Sequence, residues 1–343
     1  MSFEVIRDSK HWTKLVNRFE HDLYHTWDFH SLSHMNNEGV PVLFSLEYDN
    51  DTIIFPLLER EVPDEDKKDL ISVYGYPGPL FSVDNTQTQN LLLNKLFEKV
   101  AELGYVSLFS RIHPIINKNA IEHSTSLGDI VYFDFEDNID DIYAAMRKVH
   151  RRDIRKLKKS ELALKIYRQV SSEHISEFKH IYDLTMDKLD AADYYYFDQG
   201  FYEKMFASDD FQASLYTVYS EDKAIASAIM IQTDTFGEYH LSGTLPEFYR
   251  EHPMKLILGC AMEEMYSMGL KYFILGGGVG SARDSLFDFK YGFARRSASF
   301  SIMKKVFDQI TYEKLSEKNF KALNMNAESI KQVNYFPLYR YSR

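Results

Sequence analysis

Residues 271–293 read Lys-Tyr-Phe-Ile-Leu-Gly-Gly-Gly-Val-Gly-Ser-Ala-Arg-Asp-Ser-Leu-Phe-Asp-Phe-Lys-Tyr-Gly-Phe, and this stretch restricts the fold more tightly than any other. Tyr272 to Leu275 is a short apolar run between Gly269 and Gly276, the pattern of a buried strand. Gly276, Gly277, Gly278 and Gly280 let the backbone turn sharply or approach another group closely. Asp284 is placed to cap a short helix over Ser285–Lys290, with Phe287 and Phe289 available for packing. Strand, glycine loop and helix start together bring backbone N–H groups to a sheet edge, where a phosphate, carboxylate or oxyanion is stabilised. Lys290 adds a positive charge there. The same residues also describe a tight turn with a solvated lysine, and spacing alone leaves both readings open.

At 343 residues the chain has room for two domains, each with its own core. A hydrophobic content of 45% with 27% charged residues is that of a folded globular protein. The single cysteine, Cys260, excludes an intrachain disulfide and a cysteine zinc site, and its apolar neighbours mark it as a buried inert thiol. His25, His30 and His34 read as scattered loop histidines, so no metal is expected. The first residues contain no apolar signal-peptide core, and no apolar run approaches the ~20 residues of a membrane span. A cytoplasmic protein is expected. A net charge of -11 argues against a general nucleic-acid binder.

Along the chain, residues 11–24 read as a helix and Val40–Tyr48 and Thr52–Glu59 as a hairpin turning at Asp49-Asn50-Asp51. Asp64–Asp69 reads as a charged loop, and the strand beginning at Ile71 breaks at Gly75, Pro77, Gly78 and Pro79. Asn85–Leu103 has helical spacing, ended by Gly104, and Tyr105–Ser110 returns as a strand. A boundary falls near residues 134–145, giving an N-terminal module over 1–140, a C-terminal module over 141–310 and a tail over 311–343 packed on them.

Arg147, Lys148, Arg151, Arg152, Arg155, Lys156, Lys158 and Lys159 then form a basic block, opposed internally by Asp153. It is either a solvated helix face or a surface for a nucleotide diphosphate, a lipid headgroup or a tRNA acceptor stem. A helix through Ile175–Leu189 leads to the aromatic cluster Tyr194–Phe206, which serves packing or stacks a sugar or base. Three strands follow, Ser214–Tyr219, Ala224–Gln232 and Glu238–Gly243, then a helix over Met254–Met268 and a last strand over 295–307. Glu102-Leu-Gly-Tyr-Val-Ser-Leu108 echoes Ser267-Met-Gly-Leu-Lys-Tyr-Phe273 in the order strands, helix, glycine, strand. Two similar α/β modules follow from that order.

Leu275-Gly-Gly-Gly-Val-Gly280 with Asp284-Ser-Leu-Phe-Asp-Phe-Lys-Tyr-Gly-Phe293 resembles the C-terminal signature of the FemABX-like branch of the GNAT acyltransferases. Tyr74-Gly-Tyr-Pro-Gly-Pro79 and Phe109-Ser-Arg-Ile-His-Pro114 resemble that family's first module, and Met146–Lys156 the basic start of its second. The resemblance implies an α/β fold of two tandem GNAT-like modules, each a mixed, mostly antiparallel sheet flanked by helices. It also implies transfer of an acyl or aminoacyl group to an amine of a cell-envelope or surface-polysaccharide precursor.

Acyl transfer to an amine needs a neutral amine, a stabiliser for the oxyanion and a route for the proton. On the resemblance, Lys290 steadies the donor or the tetrahedral intermediate, and Asp284 and His240 are candidate proton acceptors. Arg250 and Lys255 flank the turn that holds the pyrophosphate of CoA in GNAT modules, although Arg250–Lys255 contains no glycine. The donor is therefore left open between acyl-CoA and aminoacyl-tRNA, neither of them a permanently bound cofactor. Tyr74, Tyr76, Arg111, His113 and Phe289, with Arg151, Arg152 and Arg155, are the candidate acceptor-binding side chains. The acceptor is a small-molecule or lipid-linked precursor, so peripheral membrane contact is left open. A non-catalytic protein that docks an anionic partner through residues 147–159 is the rival reading.

Overall fold

A computed structural model describes residues 1–63, 65–118 and 121–342. The chain begins β1 (Ser2–Ile6), α1 (Ser9–Val16), α2 (Trp27–Met35), β2 (Val40–Tyr48), β3 (Asp51–Glu61), β4 (Lys68–Ile71), β5 (Leu80–Phe81), α3 (Thr86–Glu102) and β6 (Ser107–Ile112). It continues through β7 (Ser124–Asp134), α4 (Ile139–Ala145), α5 (Lys148–Leu157), β8 (Ala163–Tyr167), α6 (Ser172–Lys188) and α7 (Gln199–Phe206). Next come β9 (Gln212–Ser220), β10 (Lys223–Gln232), β11 (Phe236–Thr244), α8 (Pro253–Ser267), β12 (Tyr272–Gly276) and α9 (Ser285–Ala294). β13 (Arg296–Val306), α10 (Gln309–Ala322) and α11 (Ala327–Lys331) complete it.

Two compact units divide the chain elsewhere than at residues 140 and 310. One comprises residues 1–20, 24–127 and 300–343, the other residues 21–23 and 128–299. In the first unit the strand order is β1-β2-β3-β4-β6-β13, antiparallel except for the β4/β6 pair. In the second it is β8-β9-β10-β11-β12-β7, antiparallel except for the β11/β12 pair. The crossover helix before the parallel strand is α3 in one and α8 in the other, so the repeated order legible in the sequence is a repeated topology. The sixth strand of each unit comes from the opposite half of the sequence: Phe300–Val306 closes the first and Gly128–Asp134 the second. A boundary near 140 misses this exchange because strand pairing between distant residues leaves no local pattern.

The expected hairpin forms, with Asp49 and Asn50 both at positive φ in its turn. The expected helix over 11–24 ends at Val16 with Asn17 as its cap. The histidine stretch read as a loop forms α2 instead: Thr26 caps it, and His30 is fully buried with Nδ1 2.8 Å from the Thr26 carbonyl. Of the expected charged loop, Asp64 lies outside the described residues and Lys68 already belongs to β4. Leu92, Leu96 and Val100 of α3 pack on Phe44, Phe55 and Leu57 of the first sheet. Leu258, Ala261, Met262 and Met265 of α8 pack on Ala228, Phe273 and Leu275 of the second.

Candidate active site

The second unit opens where its two parallel strands part. β11 pairs with β12 only at Phe236, Gly237 and Glu238, then runs on to Thr244 without it. On its other side, Leu241 faces Ile229 and Tyr239 faces Met230, so His240 is the extra residue of a bulge. A bulge bends its strand and interrupts the ladder, which turns β11 away from β12. The mouth of the gap is bordered by Tyr239 and His240 on one strand and Gly276 and Gly277 at the end of the other.

Lys290 reaches this mouth from α9. Its side chain is 9% exposed, and Nζ donates to the Gly277 carbonyl at 2.7 Å and stands 5.8 Å from the centre of the Tyr239 ring. Burial pushes its pKa down to about 8, against the attraction of Asp284 and Glu238. Near neutral pH it remains a cation with two further donors beyond the one bound to Gly277.

Asp284 caps α9: Oδ1 accepts the Phe287 N–H at 2.9 Å, and Oδ2 reaches back to the Val279 N–H at 3.0 Å. These backbone donors hold the carboxyl below its usual range. The anion-binding place read from the glycine loop is thus partly filled by the protein's own carboxylate, which corrects that expectation. Gly276 and Gly280 do have positive φ, and a Cβ on Gly278 would lie 2.2 Å from both the Ala282 carbonyl and Asp284 Oδ1. Gly277 contributes a carbonyl, not an N–H, to the lysine. His240 is half-buried, and desolvation lowers its pKa to about 4, so the imidazole is neutral.

The other candidates separate. Lys255 is buried on α8, and its Nζ donates to Asp153 Oδ2 at 2.6 Å. Burial opposes the charge of Asp153, but the bonds from Lys255 and Arg152 prevail and hold its carboxyl low. Lys255 is therefore already neutralised. Arg250 is exposed on the rim of a groove of about 270 Å3 with Lys156, Leu157, Leu162 and His252.

On α5, Ile154 and Leu157 point inward while Lys148, Arg152, Arg155 and Lys156 are exposed, as is Lys159 just past its end. Arg152 pairs with Asp153, Lys158 with Glu263 and Arg147 with Asp288. Arg151 only touches the Ala144 carbonyl, at 3.4 Å. Phe289 packs with His150 and Phe293 in the second unit.

In the first unit, the Arg111 guanidinium lies 5.0 Å from the centre of the exposed Tyr74 ring. Tyr76 packs edge-on against Tyr24 and Phe300. His113 is fully buried, and its Nδ1 accepts the N–H groups of Ile115 and Ile116, so it shapes the loop. The bulge at His240 and the ion pair at Lys255 had no local signal in the sequence.

The acetyltransferase (GNAT) domain family matches residues 144–291, from the end of α4 into α9. Among solved structures, FemX is 12% identical and aligns over 92% of this chain and 99% of its own, with a TM-score of 0.69. The C-terminal domain of a putative lysylphosphatidylglycerol synthetase from Agrobacterium fabrum is 11% identical, over 92% of this chain and 98% of that one, with a TM-score of 0.53. L-PGS from Bacillus licheniformis is 10% identical, over 92% and 96%, with a TM-score of 0.54. No curated protein matches the sequence. The chain has a GNAT-type fold, and residues 144–291 are the part similar to the acetyltransferase (GNAT) domain family. Both likenesses support the FemABX-like resemblance carried by the three motifs. Among the described residues, no helix is long and apolar enough to cross a membrane.

Proposed function

We propose that the protein is an N-acyltransferase that moves an acyl or aminoacyl group to an amine of a cell-envelope or surface-polysaccharide precursor, an amino sugar or a peptide. The observation that carries this reading is Lys290: a buried cation at the mouth of the β11/β12 gap, beside a strand bulge, with two donors to spare. The neutral amine attacks the donor carbonyl, a C–N bond forms, and the Lys290 ammonium stabilises the oxyanion. Collapse breaks the bond to the leaving thiol or ribose oxygen, which takes up the proton released by the amine. His240 is neutral and beside this path. Both oxygens of Asp284 accept backbone N–H bonds, which assigns it to holding α9.

An aminoacyl-tRNA donor is favoured over acyl-CoA by the state of the turn into α8. Lys255 is held by Asp153 and the turn has no glycine, so a pyrophosphate would meet a neutralised pole. Lys148, Arg155, Lys156 and Lys159 have no ion-pair partner among the described residues and would meet the tRNA phosphates. The name of the lysylphosphatidylglycerol synthetase neighbour, an aminoacylated lipid, fits an aminoacyl donor.

The test pairs a thermal-shift titration with acetyl-CoA with filter binding of charged tRNA. Retention of tRNA, weakened by Arg155→Ala with Lys156→Ala and by salt, is the expected result. A shift of a few degrees with acetyl-CoA alone would make the donor a thioester. Transfer undiminished in Lys290→Ala would overturn the acyltransferase mechanism.

A further inference from the structure

The N-cap and first turn of α5 are bonded to α9 on both sides of Lys290. The Arg147 backbone N–H donates to the Gly292 carbonyl at 2.8 Å, and the Arg147 guanidinium forks onto Asp288 at 3.0 and 2.8 Å. Between them His150, 4% exposed, places Nε2 3.1 Å from the Phe289 carbonyl, one residue before the lysine. A carbonyl only accepts, so Nε2 carries the proton and Nδ1 is left as a buried lone pair without a hydrogen-bond partner among the described residues.

The ring is wedged as well as bonded. It lies 4.4 Å from the Phe293 ring and 5.5 Å from that of Phe289. A Cβ on Gly292 would come within 2.5 Å of Nε2, so glycine is what lets the imidazole close on α9. The Lys290 ammonium, meanwhile, is held out of water with one hydrogen-bond acceptor among the described residues, Gly277. Desolvation favours its escape to solvent, and a fixed α9 opposes that together with the Gly277 bond and the attraction of Asp284 and Glu238.

We infer that His150 is a positioning residue: its bond to the Phe289 carbonyl and its wedge against Gly292 fix the turn of α9 that keeps Lys290 buried against Gly277. Arg147 acts with it through Asp288. The inference rests on the role given to Lys290 above, but its own claim concerns where the ammonium sits. The charged groups facing His150 are Arg147, Lys255 and Asp153, and those facing Lys290 are Asp284 and Glu238.

The experiment follows the Lys290 titration by NMR in full-length protein labelled at lysine 13Cε, its resonance assigned by its absence in Lys290→Met. In the parent protein the resonance is expected to titrate near 8. In His150→Phe, which keeps the ring but loses the donor, the midpoint should rise by about one unit or more toward the free-lysine value. Transfer should fall about tenfold in kcat with KM little changed. His150→Gln, whose amide can donate to the same carbonyl, should recover most of both. If His150→Phe does not fold, Gly292→Ala and Arg147→Gln read the same titration.

An unmoved midpoint in the folded variants overturns the clamp. A Lys290→Met enzyme with full activity overturns the catalytic role given to Lys290 instead, while the titration still reports on the clamp.

Discussion

The Lys290 ammonium and the Gly277 carbonyl oxygen lie 2.7 Å apart, with the lysine 9% exposed. The strand end thus supplies an acceptor that holds a cation where solvent would otherwise take it. Keeping that charge buried costs stability, because the pKa falls from 10.5 to about 8. The shift corresponds to about 3 kcal/mol, less about 1 kcal/mol for the hydrogen bond the lysine makes. Lys290→Met is therefore expected to lower kcat by about 10²–10³ while raising unfolding free energy at pH 7 by about 2 kcal/mol. The unfolded chain binds more protons than the folded one between pH 8 and 10.5, so the penalty is complete below 8 and fades as pH rises through that window. Urea unfolding at pH 7 and at pH 10 checks both signs, and a destabilised variant at pH 7 would refute the account.

Asp284 separates a cap from a base. As a cap it accepts from Phe287 through Oδ1, a bond that asparagine also makes, and from Val279 through Oδ2, a bond that an amide NH2 cannot accept. Asp284→Ala should cost about 1 kcal/mol and reduce transfer, while Asp284→Asn, which keeps the Phe287 bond and loses the Val279 one, should fall between the parent and Asp284→Ala in both. Equal loss of activity in the two variants, with Asp284→Asn stable, would instead make the carboxylate a proton acceptor.

Asp153 and Lys255 form an ion pair with side chains only 15% and 7% exposed. Removing one partner strands the other, so Asp153→Leu alone should cost about 3–5 kcal/mol. Adding Lys255→Met should restore most of that loss. Denaturation of the two single variants and the double variant gives the coupling, and simple additivity would show the pair to be solvated.

The exchanged sixth strands make the halves interdependent. Residues 1–140 alone lack Phe300–Val306, which pairs with β6 and contributes the fully buried Met303. Residues 141–310 alone lack Gly128–Asp134, which brings Val131 and Phe133 into the second core. Each fragment is left with an unpaired edge, and neither should show a cooperative thermal transition. A two-state transition from either fragment would refute this.

Much of the local architecture was legible in the sequence. Asn85 and Gly104 bracket α3, and Asp284 starts α9, because caps and stops act through neighbouring residues. The meanders β2–β3 and β9–β11 show as alternating apolar runs. β7 did not, since its first half is Ser124-Thr-Ser-Leu-Gly-Asp129 and its partner β12 lies more than 130 residues away along the chain. α2 was hidden because its inward face carries His30 and Ser33, polar residues that count as core only once packed.

The sequence by itself determined the strand, glycine loop and capped helix that deliver Lys290, and the repeated order of two α/β modules. Tertiary structure alone decided which charges are already engaged: Lys255 by Asp153 and Arg147 by Asp288. It also decided the bulge at His240 and the wedge of His150 against Gly292. Capping and periodicity act over a few residues and leave a mark there. Desolvation, strand register and ion pairing arise from residues far apart in the chain, and they exist only once those residues are packed together.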